Sequence, residues 1–212
     1  MKPRWTLVLL VWSTASAQSP QPWIGRGIPA PHAATADSVE TAGSQTKSAG
    51  AVAVQMVGLT VSDMDRSVEF FTRLLDFTKV SDDEVEGPAY AALENVSGAR
   101  LRVVRLRLGG ELLQLTQFLA PEGRPFPADS RSNDQWFQHV AIIVSDMDRA
   151  YARLRQFKVR PGSTSPQLLP KTIPNAAGIR AFYFRDPDGH FLEILQFPPD
   201  KGDPKWHRAG AR

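Results

Sequence analysis

The chain has four histidines, His32, His139, His190 and His207, and no cysteine. Lack of a thiol removes disulfides, thiolate metal sites and cysteine nucleophiles. His139 and Glu193 carry the most chemical promise. Each sits in an otherwise apolar run, QHVAIIV and FLEILQF. An imidazole and a carboxylate can ligate Zn, Fe, Mn, Co or Ni, and a carboxylate can move protons. The plain structural reading of His139 is a core histidine bonded to backbone. A carboxylate buried without a partner is costly, so Glu193 is expected to face a cavity and to have one. His190 and Glu193 form a tempting HxxE pair, but residues three apart on a strand point to opposite faces. His32 lies in a Pro/Ala-rich stretch and His207 near the C-terminus, so neither is a good site candidate.

The elements that position these residues are duplicated. Val61-Ser62-Asp63-Met64-Asp65-Arg66 recurs letter for letter as Val144-Ser145-Asp146-Met147-Asp148-Arg149, 83 residues later. Such a repeat has to be settled before any other reading. It makes His139 the counterpart of Met56. The closing segments LLQLTQF and FLEILQF align as well, which makes Glu193 the counterpart of Gln114.

Each copy begins with an apolar strand, Ala53 to Val61 and Gln138 to Val144. A helix follows, with Ser62/Asp65 and Ser145/Asp148 arranged like capping boxes. Apolar residues recur at helical spacing, Val68, Phe71 and Leu75 in one copy, Met147, Tyr151 and Leu154 in the other. Strands close each copy. Leu101–Leu108 and Glu111–Phe118 flank Gly109-Gly110, and Ile179–Phe184 and Phe191–Phe197 flank Asp186-Pro187-Asp188-Gly189. A further strand is expected near Tyr90–Leu93, and Gly162–Ala177 reads as loop.

This pattern resembles the vicinal oxygen chelate superfamily, which includes glyoxalase I, bleomycin- and fosfomycin-resistance proteins and extradiol dioxygenases. The resemblance rests on GLTVSDMDRSVEFF, QHVAIIVSDMDRAYARL and FYFRDPDGHFLEILQF and covers about residues 53–197. It implies an α+β fold of two tandem βαβββ modules whose sheets curl around a cup. It also implies metal ligands on the first and last strands of each module, at positions 56, 114, 139 and 193. His139, Glu193 and the weaker amide of Gln114 then form the expected metal set, with Glu193 also the catalytic residue. Met56 departs from the pattern, because a thioether suits Cu(I) rather than these ions, and it reads as core filling. Met56, Arg105, Trp136 and Tyr183 are the expected substrate-side residues. An inward arginine can clamp a carboxylate or phosphate, and the aromatics can wall a ligand. Without a histidine at 56 the two-His-one-carboxylate site of the dioxygenases is incomplete. Without a carboxylate at 114 the four-ligand glyoxalase site is incomplete too.

Residues 1–17 carry Lys2 and Arg4, the apolar run WTLVLLVW and Ala15-Ser16-Ala17, the order of an export signal. The run is too short for a stable membrane anchor. The whole chain has 25 basic and 22 acidic residues, and without the signal the balance is 23 to 22, a net charge of +1. That is no footprint for nucleic acid. Residues 18–52 read as a flexible linker, 53–198 as the folded domain with modules at about 53–120 and 136–198, and 199–212 as a solvated tail. The expected function is a divalent-metal-dependent lyase or isomerase acting on a small oxygen-chelating substrate in an exported compartment, with oxygenase chemistry next in order. The alternative is a metal-free protein that sequesters a small molecule, as the bleomycin-resistance type does. The resemblance further implies a homodimer, since members of the superfamily often pair.

Overall fold

A computed structural model describes residues 50–207. The expected export signal and most of the linker lie outside the described residues. Among these, no helix is long and apolar enough to cross a membrane.

The first module runs β1 (Val57–Thr60), α1 (Met64–Glu69), a π-helical turn (Phe70–Leu74), β2 (Thr78–Glu86), α2 (Pro88–Glu94), β3 (Arg100–Leu108) and β4 (Glu111–Ala120). The second runs β5 (Val140–Ile143), α3 (Met147–Gln156), β6 (Arg160–Pro161), β7 (Gln167–Leu168), β8 (Arg180–Arg185) and β9 (Phe191–Gln196). One sheet has the order β1-β4-β3-β2. The other has β5-β9-β8-β6, with β7 also paired to β8. In both sheets the first strand pairs parallel with the last, Val57 opposite Leu113 and Val140 opposite Leu192. The duplication read in the sequence is therefore a duplication of topology and register.

Strand alternation decides which side chains reach the core. Leu113, Leu115, Leu192 and Ile194 are buried in one apolar cluster that also takes in Phe71, Leu74, Met147 and Leu154 from the helical segments. Phe182 and Phe184 join it, with Tyr151 edge-on to Phe182 at 4.9 Å. The alternate positions, including Gln114 and Glu193, face the other side of each sheet.

The helix caps correct the expected capping boxes. The caps are Asp63 and Asp146, which accept from Arg66 N at 3.1 Å and Arg149 N at 3.0 Å. The helices start one residue later than expected because both aspartates hold the extended backbone an N-cap requires. Asp65 and Asp148 are thereby freed to pair with Arg102 and Arg180. A second device ties each closing strand to its helix. Gln117 Oε1 accepts from Met64 N and Gln196 Oε1 from Met147 N, while their amide nitrogens donate to Ser62 and Ser145 carbonyls.

Three further expectations change. Tyr90–Leu93 lies in α2, started by Pro88 and ended by Asn95 in the left-handed region at φ 53°, and the extra strand is β2 instead. β2 is exposed and acidic, which hides it from an apolar pattern; Arg102 holds the Asp82 carboxyl well below the usual range. The stretch 162–177 is not all loop, since β7 adds to β8 there. The described part of the tail folds back, with Trp206 against Phe197 at 4.9 Å and Lys201 Nζ on the Pro174 carbonyl. The modules are latched to each other through Asp188, which accepts from Ser62 Oγ at 2.5 Å and pairs with Arg66 at 2.8 Å.

Candidate functional site

Three elements of the second module converge on one polar cluster. Glu193 in β9 stands opposite Ala141 of β5 on one side and Tyr183 of β8 on the other. His139 immediately precedes β5. Its Nε2 lies 3.1 Å from Glu193 Oε2, and its ring meets the Tyr183 ring edge-on, with centroids 5.1 Å apart. Glu193 is only 7% exposed although it lies on the face away from the apolar core. Burial pushes its carboxyl above the usual range, while the charge of His139 and hydrogen bonds from Tyr183 and His139 pull the other way. Burial and the neighbouring Glu193 push the Tyr183 phenol up, against a hydrogen bond from the Gln138 side chain. The cluster thus holds a carboxyl and a phenol whose proton affinities are both raised by burial.

Tyr183 is itself clamped. Its carbonyl accepts from Gly162 N at 2.8 Å and Ser163 N at 3.0 Å, and its amide donates to Ser163 Oγ at 3.0 Å. A side chain at Gly162 would place its Cβ 3.0 Å from the Tyr183 Cβ. Gln138, Gly162 and Ser163 were not singled out from sequence. Gln138 had only its adjacency to His139 as a signal, and the loop residues had none.

The first-module candidates occupy equivalent places. Met56 precedes β1, Gln114 stands opposite Gly58, and Arg105 stands opposite Gln114 across β3 and β4. Register thus makes Arg105 the counterpart of Tyr183. Arg102 bonds to Asp65 and Asp82, and Arg105 takes the other face, which Gln114 shares. Gln114 donates to Thr116 Oγ1 at 3.4 Å. Among the described residues no hydrogen bond or ion pair joins this trio to His139, Glu193 and Tyr183. Trp136 is 54% exposed and packs edge-on against Phe126. His190 pairs with Asp186 at 2.8 Å, separate from Glu193.

The donor set can be tested for a metal. Two ligands about 2.1 Å from an ion and at right angles stand about 3.0 Å apart. The 3.1 Å between His139 and Glu193 fits two neighbouring coordination positions. Among the described residues no group of three or more His, Cys, Asp or Glu gathers around one point. The remaining positions would fall to Gln114, water or substrate. His139 Nδ1 is buried without a hydrogen-bond partner, whereas metal-bound histidines usually donate from their second nitrogen.

The model of the Glyoxalase/Bleomycin resistance protein/Dioxygenase superfamily matches residues 53–194. The chain belongs to this superfamily. A relative, the 2-epi-5-epi-valiolone epimerase of an Actinomyces species, is 37% identical over 159 residues, covering 70% of this chain and 81% of the relative. The fold matches a glyoxalase family protein from Bacillus cereus with a TM-score of 0.60 at 18% identity, over 73% of this chain and 98% of that one. A glyoxalase/bleomycin resistance protein/dioxygenase domain from a Frankia species matches with a TM-score of 0.50 at 21% identity, over 71% and 96% of the two chains. These structural likenesses speak to the fold, which is that of the superfamily.

Proposed function

We propose that the chain is an isomerase of the superfamily that inverts a stereocentre next to a carbonyl, with Glu193 as the proton-transfer group. The observation that carries this is the buried carboxylate set between an imidazole and a phenol. The 37% identity to an epimerase supports the reaction type. In the proposed step Glu193 takes the proton from the carbon beside the carbonyl, a water molecule on the opposite side delivers a proton to the other face of the same carbon, and the proton on Glu193 passes back to solvent. One C–H bond breaks, one forms, and nothing is oxidised or reduced. A carboxylate with raised proton affinity is a stronger base, better matched to a weakly acidic C–H. Burial raises the proton affinity of Glu193, and the charge of His139 and hydrogen bonds from Tyr183 and His139 oppose that rise while holding the carboxyl in place. His139 and Glu193 would hold a divalent ion, Zn, Fe, Mn, Co or Ni, with Gln114 offered by the repeat as the further protein donor. Such an ion would supply Lewis acidity to the substrate carbonyl.

The test is proton NMR in D2O with 2-epi-5-epi-valiolone, each ion in turn. Deuterium at the carbon beside the carbonyl, with the epimer, is expected, and its loss in Glu193→Gln. Absence of exchange with all five ions contradicts the proposal. The unpartnered His139 Nδ1 favours a second reading, a metal-free protein that only binds its ligand. Ligand binding without exchange is its signature. Export through residues 1–17 and pairing into a homodimer belong to the proposal, checked by N-terminal sequencing of the exported protein and by sedimentation.

A further inference from the structure

A cavity of about 340 Å3 opens beside the Asp186–Gly189 turn. None of its wall residues is His139, Tyr183 or Glu193. Three rings, Phe70, Phe126 and Phe157, give it an apolar side, and Lys158, Arg160 and Arg185 give it a cationic one. Arg160 and Arg185 stand directly opposite each other across β6 and β8. Like charges in such a cross-strand pair repel and are normally selected against. Among the described residues, none of these three cations forms an ion pair with a carboxylate. Arg185 donates to the Gly189 carbonyl at 2.8 Å and to the Ser130 carbonyl, and Arg160 to the Ala128 carbonyl at 3.0 Å. Arg185 is 6% exposed, and its guanidinium lies 3.9 Å over the Phe191 ring, which fixes it in place.

The two carboxylates bordering the cavity are engaged elsewhere. Asp186 Oδ1 accepts from the backbone of Asp188, Gly189 and His190, and its Oδ2 pairs with His190. Asp188 is held by Ser62, Ser67 and Arg66. Neither offers a free oxygen pair to the arginines. Burial and the charge of Arg160 lower the proton affinity of Arg185, against the attraction of Asp186, so the neighbouring cation outweighs the neighbouring carboxylate. A buried cation facing a second cation, with apolar rings beside them, lacks one component, an anion that carries an apolar body.

We propose that this cavity is a second ligand site, separate from the His139–Glu193 cluster, which takes a small organic anion whose phosphate or carboxylate meets Arg160 and Arg185 and whose apolar part lies against Phe126 and Phe157. The volume is several times what a bare oxyanion needs and lies within the range of small-molecule pockets.

Calorimetric titration of the full chain at fixed ionic strength tests this with phenyl phosphate, inorganic phosphate and phenol. Saturable binding of phenyl phosphate, tighter than of either fragment, is expected. Arg160→Gln should weaken it about tenfold, the loss of one hydrogen bond to a charged group. Phe157→Ala should weaken phenyl phosphate but not inorganic phosphate, and His139→Ala should change neither. Both side chains are exposed enough that the variants should keep the wild-type melting temperature, which is checked first. No saturable binding of phenyl phosphate at millimolar concentration overturns the proposal. So does binding that survives Arg160→Gln unchanged, or binding that His139→Ala removes.

Discussion

Replacing Glu193 by Gln keeps the shape of the side chain and removes its ability to ionise, which isolates the cost of the buried charge. Burial raises the folded-state proton affinity of Glu193 above that of the unfolded chain. The folded state therefore binds the proton more tightly. Its stabilising contribution is complete below the unfolded value near 4.5 and is lost as pH climbs through the folded value. The neutral amide of the variant feels none of this. In chelator-treated protein, the stability of E193Q relative to wild type should rise between pH 4 and pH 7.5. Leaving a buried polar group poorly compensated costs about 1–3 kcal/mol, and the partial compensation by His139 and Tyr183 places the effect toward the lower end. For a domain of this size that is a relative gain of roughly 2–8 °C in melting temperature. The assay is thermal unfolding followed by circular dichroism at both pH values. A pH-independent difference would refute the reasoning. A relative loss for E193Q as pH rises would also refute it, since it would mean that the fold favours the anion.

Tyr183→Phe removes a hydrogen bond that favours the ionised form of Glu193, so the rising limb of the pH–exchange profile should move to higher pH, read by the D2O assay. Gln196→Ala strips a partner from Met147 N and from Ser145 O, and Gln117→Ala does the same at the other copy. Each should cost about 1–2 kcal/mol in urea unfolding, and the double variant should be near-additive. Gly162→Ala pushes a methyl group against Tyr183 and should cost about 1–3 kcal/mol, with an altered near-ultraviolet tyrosine signal.

The fold was legible because the repeat carries it. Six identical residues marked two strand-to-helix junctions to within a residue, and the closing strands LLQLTQF and FLEILQF aligned without gaps. The parallel registers of Val57 with Leu113 and Val140 with Leu192 are equivalent under that alignment, although the pairing itself was not legible in it. What misled was local. β2 is mostly polar, with only Val80 and Val85 apolar, and is held by cross-strand arginines, so its strand character comes from pairing rather than apolar periodicity. The caps slipped by one residue because Ser62 and Asp63 are both good cap residues, and only the backbone chooses between them.

At the site, the equivalences of Met56 with His139 and of Gln114 with Glu193 could be read from spacing. Tyr183 could be suspected only as an aromatic near the turn. Its place opposite Glu193 depends on hairpin register, and its clamp depends on a loop with no periodic signal. The arginines of the cavity beside the Asp186–Gly189 turn were invisible as a pair, because Arg160 and Arg185 are 25 residues apart and meet only through β6, a strand of two residues.

The central claim is that His139 and Glu193 together form a metal-assisted proton-transfer centre. Elemental analysis tests it most directly, on protein purified without chelator or affinity metal and then offered Zn, Mn, Fe, Co and Ni salts, beside His139→Ala. The account predicts about one ion per wild-type chain and its loss in the variant. An ion retained in full by His139→Ala, or none taken up by the wild type from any of the five salts, would contradict it.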